Sequence, residues 1–272
     1  MRKLYVNLMS FVFLTFFLSI LAYPYSDAEV DCLMAIPAPN IDGIVNEKEW
    51  GEGIYLSKSV TLPGEKNYNG FGNCYEPDLI DDEEDCSGTL HFLWDKNALY
   101  LAAKITDDDL YFGGASTWQN DCTEWRWNPD EAADLLYIGM WITPELGGGG
   151  PAWMIKNDGA GGAGIADVTE DLPSLKVTMH DDGYEWELKI PADSDVLVGL
   201  DLEVGNMVGF TVSIGENDKS SADYSMPAWS LNPDTWEWNE DFWGVMNFSG
   251  EVLAVDPSVK LAGTWGSIKS VR

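Results

Sequence analysis

Positive charge is scarce in this sequence. It holds 15 Lys and Arg against 46 Asp and Glu, a formal net charge of −31. Such a surface repels nucleic acid and anionic membranes, so neither is expected as a partner. Histidine is scarcer still: the chain has only His91 and His180. His91 falls in a strand pattern and His180 just before a turn, which argues for structural roles and leaves no Ser-His-Asp triad to assemble. No cysteine pair has CxxC spacing, which argues against a zinc site. No CxxCH occurs for covalent haem. Glycine runs at 147–150 and 159–164 are not followed by Lys-Ser or Lys-Thr, so they are not phosphate loops. Helical periodicity is nearly absent, with one short turn expected at residues 47–50. In so acidic a chain no particular pair of carboxylates stands out as a glycosidase dyad.

The N-terminus is different. Arg2 and Lys3 precede an almost wholly apolar stretch, residues 4–22, and small residues follow at Ser26 and Ala28. This is the layout of a secretory signal peptide, predicted over residues 1–28. The alternative is an uncleaved membrane anchor. No later segment is long and apolar enough to span. Removal of the signal, with its net charge of +1, leaves about 244 residues near −32. No linker interrupts them, so one domain is expected over residues 29–254, with residues 255–272 as a basic tail or last strand. An acidic surface suits neutral ligands, or cations such as calcium.

Four cysteines remain: Cys32, Cys74, Cys86 and Cys122. An even count in an exported chain suggests two disulfides, with three possible pairings. Cys74 with Cys86 is preferred, closing an acidic loop. Cys32 with Cys122 would then tie the N-terminus to the body.

The remaining pattern is that of strands. Residues 89–93 and 98–105 flank Asp95-Lys96-Asn97 and read as a hairpin. Residues 175–180 and 184–190 flank Asp181-Asp182-Gly183, a stronger hairpin signal. In the second strand Tyr184, Trp186, Leu188 and Ile190 alternate with Glu185, Glu187 and Lys189, which predicts one buried and one wet face. Further strands are expected at 135–142, 153–155, 207–214 and 243–248. The fold class is therefore all-β, an antiparallel β-sandwich of jelly-roll or immunoglobulin-like type.

The order of short motifs is more specific. Asn40-Ile41-Asp42-Gly43 leads to Glu49-Trp50. Leu93-Trp94-Asp95 and Leu99-Tyr100-Leu101 lead to Thr106-Asp107-Asp108. Asp121-Cys122-Thr123-Glu124 follows, then Gly183-Tyr184-Glu185-Trp186, Gly209-Phe210, Trp229 and Phe242-Trp243-Gly244. In this order the chain resembles the family 9 carbohydrate-binding modules and their DOMON-like relatives, over about residues 35–250. The resemblance implies a β-sandwich that binds polysaccharide or oligosaccharide between two tryptophan rings, without hydrolysing it, and often carries structural calcium. It places Trp118, six residues before Glu124, as one ring and Trp229 as the other, with Trp236 and Trp238 competing. Glu124 would accept hydrogen bonds from hydroxyls. Lys156 stands in for the family's basic contact.

The residues support this reading independently. A pyranose presents a face of C–H groups that packs on an aromatic plate, and Trp is a large, rigid one. The chain has 13 Trp. Trp50, Trp94, Trp141, Trp186 and Trp243 read as core, whereas Trp118 sits in a polar turn. Glu124 is alternatively a solvated strand residue or a calcium ligand. Asp107, Asp108 and Asp109 follow a strand, where clustered oxygens can wrap calcium, and Asp121 and Asp42 could join them. The alternative is a plain acidic turn. A structural or adhesive cell-surface protein that self-associates is the rival function. A haem-binding DOMON-like domain is the second rival.

Overall fold

The computed structural model describes residues 28–58, 74–114, 116–129, 137–144, 152–156, 165–167, 174–218, 224–229 and 243–253. The expected signal peptide, the glycine runs, Trp236, Trp238 and the tail lie outside these residues.

The described residues are almost all β. Fourteen strands form one curled, mixed sheet: β1 (Glu29–Met34), β2 (Ile54–Ser57), β3 (Cys74–Tyr75), β4 (Cys86–Asp95), β5 (Ala98–Asp107), β6 (Cys122–Asn128), β7 (Tyr137–Ile142), β8 (Ala152–Lys156), β9 (Ile165–Asp167), β10 (Lys176–His180), β11 (Gly183–Pro191), β12 (Met207–Gly215), β13 (Met226–Trp229) and β14 (Gly244–Val252). The main path runs β10-β11-β5-β4-β1-β14-β12-β6-β7-β8-β9. The first strand joins its two halves. Residues Glu29 to Cys32 pair in parallel with β14, the register breaks, and Leu33 and Met34 pair in parallel with β4. A register break is how a strand turns a corner between layers.

Both expected hairpins are present. Asp95 pairs with Ala98 across Lys96-Asn97. The Asp95 carboxylate accepts from the backbone of Asn97 and Ala98 and from the Tyr100 hydroxyl. This is the local bonding that makes Asp a turn residue. In the second hairpin Gly183 has φ of 134°, and a Cβ there would lie 2.1 Å from the Ile105 carbonyl oxygen. Only glycine fits.

The main core lies between the sheet's two halves. Trp125 meets Trp186 edge-on with centroids 5.7 Å apart, and Phe210 and Phe92 complete the stack. Trp50, Trp94, Trp186 and Trp243 are buried, as expected. A second cluster joins Cys122, Trp141, Met226, Ala228, Trp243 and Val245 on the other side of β6 and β12.

The expected wet face of β11 is not wet. Lys189 is exposed, but Glu185 and Glu187 are buried. Residues 40–50 cover them. Glu187 accepts from Asp42 N, Gly43 N and Trp50 Nε1, each at 2.7 Å. Glu185 accepts from Val45 N at 2.7 Å and meets His180 Nε2 at 2.8 Å. The Asn-Ile-Asp-Gly and Glu-Trp motifs are therefore the two ends of one covering loop. Gly43 makes its turn at φ of 92°, and Trp50 ends its only helix, α1 (Glu47–Trp50).

His91, on β4, is buried 6.4 Å from the Trp50 ring. Burial lowers its pKa to about 4, against smaller opposing effects of Glu47 and Gly51. The folded value lies below the unfolded one, so as pH falls the unfolded chain takes up the proton first. Stability is then lost from about pH 6.5 down to about 4, by at most about 3 kcal/mol. Melting at pH 7 and 4.5 should show a smaller drop in the His91→Gln variant than in wild type. Equal drops would remove His91 as the cause.

The disulfide expectation is corrected. All four cysteines are buried thiols. Cys32 is level with Phe248, beyond Met207 at one end of β12, while Cys122 pairs with Gly215 at the other end. At a strand rise of about 3.3 Å per residue these positions lie about 30 Å apart, and a bridge needs Cα atoms within about 7 Å. Cys74 lies near enough to Cys86 to help raise the Cys86 thiol, a small effect beside burial. They are not bonded, and Cys74 Sγ turns to Ser225 Oγ at 3.7 Å.

Candidate functional site

The Asp121-x-x-Glu124 motif divides between two sites. A spacing of three sends the two side chains to opposite sides of the sheet. Asp121 joins a buried group of carboxylates at one end of the sheet, and Glu124 faces the second aromatic cluster.

Around Glu124 the strands align side chains in register. Ser213 on β12, Glu124 on β6 and Trp141 on β7 form one row. Thr211, Arg126 and Gly139 form the next. Glu124 is only 1 % exposed. It forms a buried ion pair with Arg126, and its other oxygen accepts from the Tyr224 hydroxyl at 3.0 Å. The Arg126 guanidinium lies 5.8 Å from the centre of the Trp141 ring, a cation–π arrangement. Glu124 is thus not a solvated strand residue, and its two carboxylate oxygens are engaged by Arg126 and Tyr224.

Trp118 borders this row. It sits in a 3-10 turn at Thr117–Gln119. Asn120 holds the turn, its amide donating to Ser116 O at 2.8 Å and its Oδ1 accepting from Gly114 N at 2.8 Å. Trp118 is 39 % exposed, with its ring 6.0 Å from that of Trp141. The structure therefore brings Trp118 and Glu124 to one place, with Trp141 between them.

It does not bring Trp229 there. Trp229 is 5 % exposed, and its ring packs 5.6 Å from Phe210 in the main core. Its neighbour Ala228 faces the second cluster. Lys156 is also elsewhere. Its Cα partner on β7 is Tyr137, four residues from Trp141 and so about 13 Å along the strands. Arg126 is the basic residue beside Glu124. Strand alternation could have found it, because positions two apart share a face.

The second group gathers at the end of β5, the start of β6 and the end of β12. Oxygen atoms of Asp107, Asp121 and Glu216 lie within 4.8 Å of one another, and so do those of Asp85, Asp108 and Asp218. Asp107 and Asp121 are the expected residues of the buried group and Asp108 of its neighbour. Asp42 is not among them, being bonded within the covering loop. Asp121 accepts from Asn217 N at 2.8 Å and from Tyr111 N. As a carboxylate, Glu216 has no N–H or O–H donor on either buried oxygen; only a proton shared with Asp107 could bond it, and both polar atoms of the buried Asn217 amide lack a partner. Desolvation, with mutual repulsion and small opposing bonds at the two aspartates, raises the carboxyls of Asp107, Asp121 and Glu216 far above the ordinary range. An all-carboxylate donor set with orphaned oxygens fits a hard cation such as calcium.

The histidines have other tasks. His91 is enclosed beside Trp50, and His180 meets Glu185.

Residues 68–136, from β3 through the D-x-x-E strand, match the family model described as carbohydrate family 9 binding domain-like. The chain thus carries a domain similar to family 9 carbohydrate-binding modules. A search of curated proteins finds no match. Among solved structures, a family 9 carbohydrate-binding module from Caldicellulosiruptor kristjanssonii in complex with cellotriose shares 19% identity at a TM-score of 0.50, covering 85% of this chain and 98% of its own. The same kind of module in complex with glucose gives 17% identity and a TM-score of 0.49 over 85% and 100%. A Bacteroides uniformis protein proposed to bind carbohydrate shares 11% at 0.52, over 82% and 100%. At these identities the likeness is one of fold.

Proposed function

We propose that this chain is an exported, non-catalytic carbohydrate-binding protein whose site is Trp118 with the row behind it. The observation that carries the reading is an exposed tryptophan standing beside a buried Glu–Arg pair. A sugar ring stacks on the Trp118 plate through its C–H face. Its hydroxyls meet Glu124 as acceptor and Arg126 as donor. The match of residues 68–136 and the cellotriose-bound structure of similar fold support a glucan oligosaccharide as ligand. The signal-like residues 1–28 support export, and we read the curled sheet as a jelly-roll sandwich. In the same reading Asp107, Asp121 and Glu216 hold calcium, which would screen their charges and fix the strand ends.

The test is calorimetric titration with cellotriose and a panel of soluble and insoluble glycans. Trp118→Ala should weaken binding at least tenfold, about 1.4 kcal/mol, with melting little changed. A wild-type protein that binds no glycan would end the reading. Self-association is the competing function, and light scattering that shows assembly at rising concentration, with no glycan bound, would favour it.

A further inference from the structure

We infer that the indole N–H of Trp141 and the hydroxyl of Ser213 are sugar-reading groups, which together bind the hydroxyls of one neutral hexose seated over Glu124; this rests on the site proposed above. Ser213 and Trp141 are the direct cross-strand partners of Glu124 on its two sides. Both are at least nine-tenths buried, and neither Ser213 Oγ nor Trp141 Nε1 has a hydrogen-bond partner. A buried polar group left unmatched costs about 1–3 kcal/mol. Two such groups on either side of one glutamate leave donors waiting for a ligand's oxygens.

Their surroundings separate them from other unmatched groups. The indoles of Trp127 and Trp186 also lack partners, but they lie inside the main core. Trp141 instead touches Trp118, which reaches solvent. Opposite Arg126 the β7 residue is Gly139, so no side chain fills that cross-strand position. The charges define the ligand. Glu124 and Arg126 neutralise each other, so the row offers acceptors and donors with no net charge. That suits vicinal hydroxyls better than the carboxylate of an acidic sugar. Trp141 is then more than a core residue: its face carries Arg126 and its N–H reads the ligand.

Trp141→Phe keeps an aromatic face, though a smaller one, and removes the donor; Ser213→Ala removes only the hydroxyl. Each should weaken cellotriose about five- to tenfold by calorimetry, the scale of one hydrogen bond. Ser213→Ala should leave ligand-free melting unchanged or higher, because it deletes an unmatched group. Methyl β-glucoside and its monodeoxy analogues identify the hydroxyl. The Trp141→Phe loss should vanish for the analogue that lacks its partner. Wild-type affinity in both variants overturns the inference alone, as does a Trp141→Phe loss equal across every analogue. No binding by wild type overturns the site reading and this inference together.

Discussion

Glu187→Ala is expected to destabilise the protein by about 4 kcal/mol, a fall in melting temperature of roughly 8–16 °C for a domain of this size. Glu187 is fully buried, and its carboxylate receives the backbone N–H groups of Asp42 and Gly43 and the indole N–H of Trp50. Burial raises its pKa despite those three donors, so desolvation outweighs them and ionised Glu187 is costly by itself. The loss on truncation comes chiefly from the other side, because three buried donors are orphaned at once and breaking such a network costs several kcal/mol. Glu187→Gln separates the two contributions. Its carbonyl oxygen can keep one or two donors, but its NH₂ group faces another N–H, so about 1–2 kcal/mol is expected. Urea unfolding of both variants measures the difference. A loss below about 1 kcal/mol in Glu187→Ala would mean that the covering loop is held by apolar contacts alone.

The hairpins and the core tryptophans were legible because their signals are local. Asp95 and Gly183 act within their own turns, and alternation on β11 identifies its inward face. The outward face was misread for a non-local reason. Glu185 and Glu187 look solvated until a segment about 140 residues earlier folds over them. Motif resemblance found the pieces, Ile-Asp-Gly and Glu-Trp, but not what binds them.

The proposed site shows the same division. The exposure of Trp118 was legible from its polar turn, whereas the burial of Glu124 against Arg126 was not. Trp229 was misplaced because a tryptophan late in the chain carries no mark of which face its strand presents. Phe210 and the packing of β13 against β12 decide that. Arg126, Ser213 and Trp141 gain meaning only from the register of three strands that are distant in sequence. Likewise Asp107 and Asp121 were visible beside their strand ends, while Glu216 looked like an ordinary loop acid until β12 delivered it to them.

Glu216 supplies the decisive test of the calcium proposal. Three buried carboxyls within 4.8 Å of one another can ionise together only against mutual repulsion and lost hydration. A bound divalent cation would reverse both penalties. By mass action calcium at about 1,000 times its dissociation constant stabilises by about 4 kcal/mol, roughly 8–16 °C in melting temperature. A chelator should remove that increment. Glu216→Gln should behave in the opposite way: without calcium it should melt above wild type, by about 1–3 kcal/mol of relieved repulsion and desolvation. With calcium it should melt below wild type, having lost a charged ligand. The order of the two melting curves therefore crosses as calcium is added. A structural carboxylate cluster with no cation gives no crossing, because Glu216→Gln then stays the more stable protein at every calcium concentration. Magnesium in place of calcium extends the comparison. A site built from protein carboxylates on three strand ends has little room for the water shell that magnesium retains, so the crossing should be weaker or absent with it.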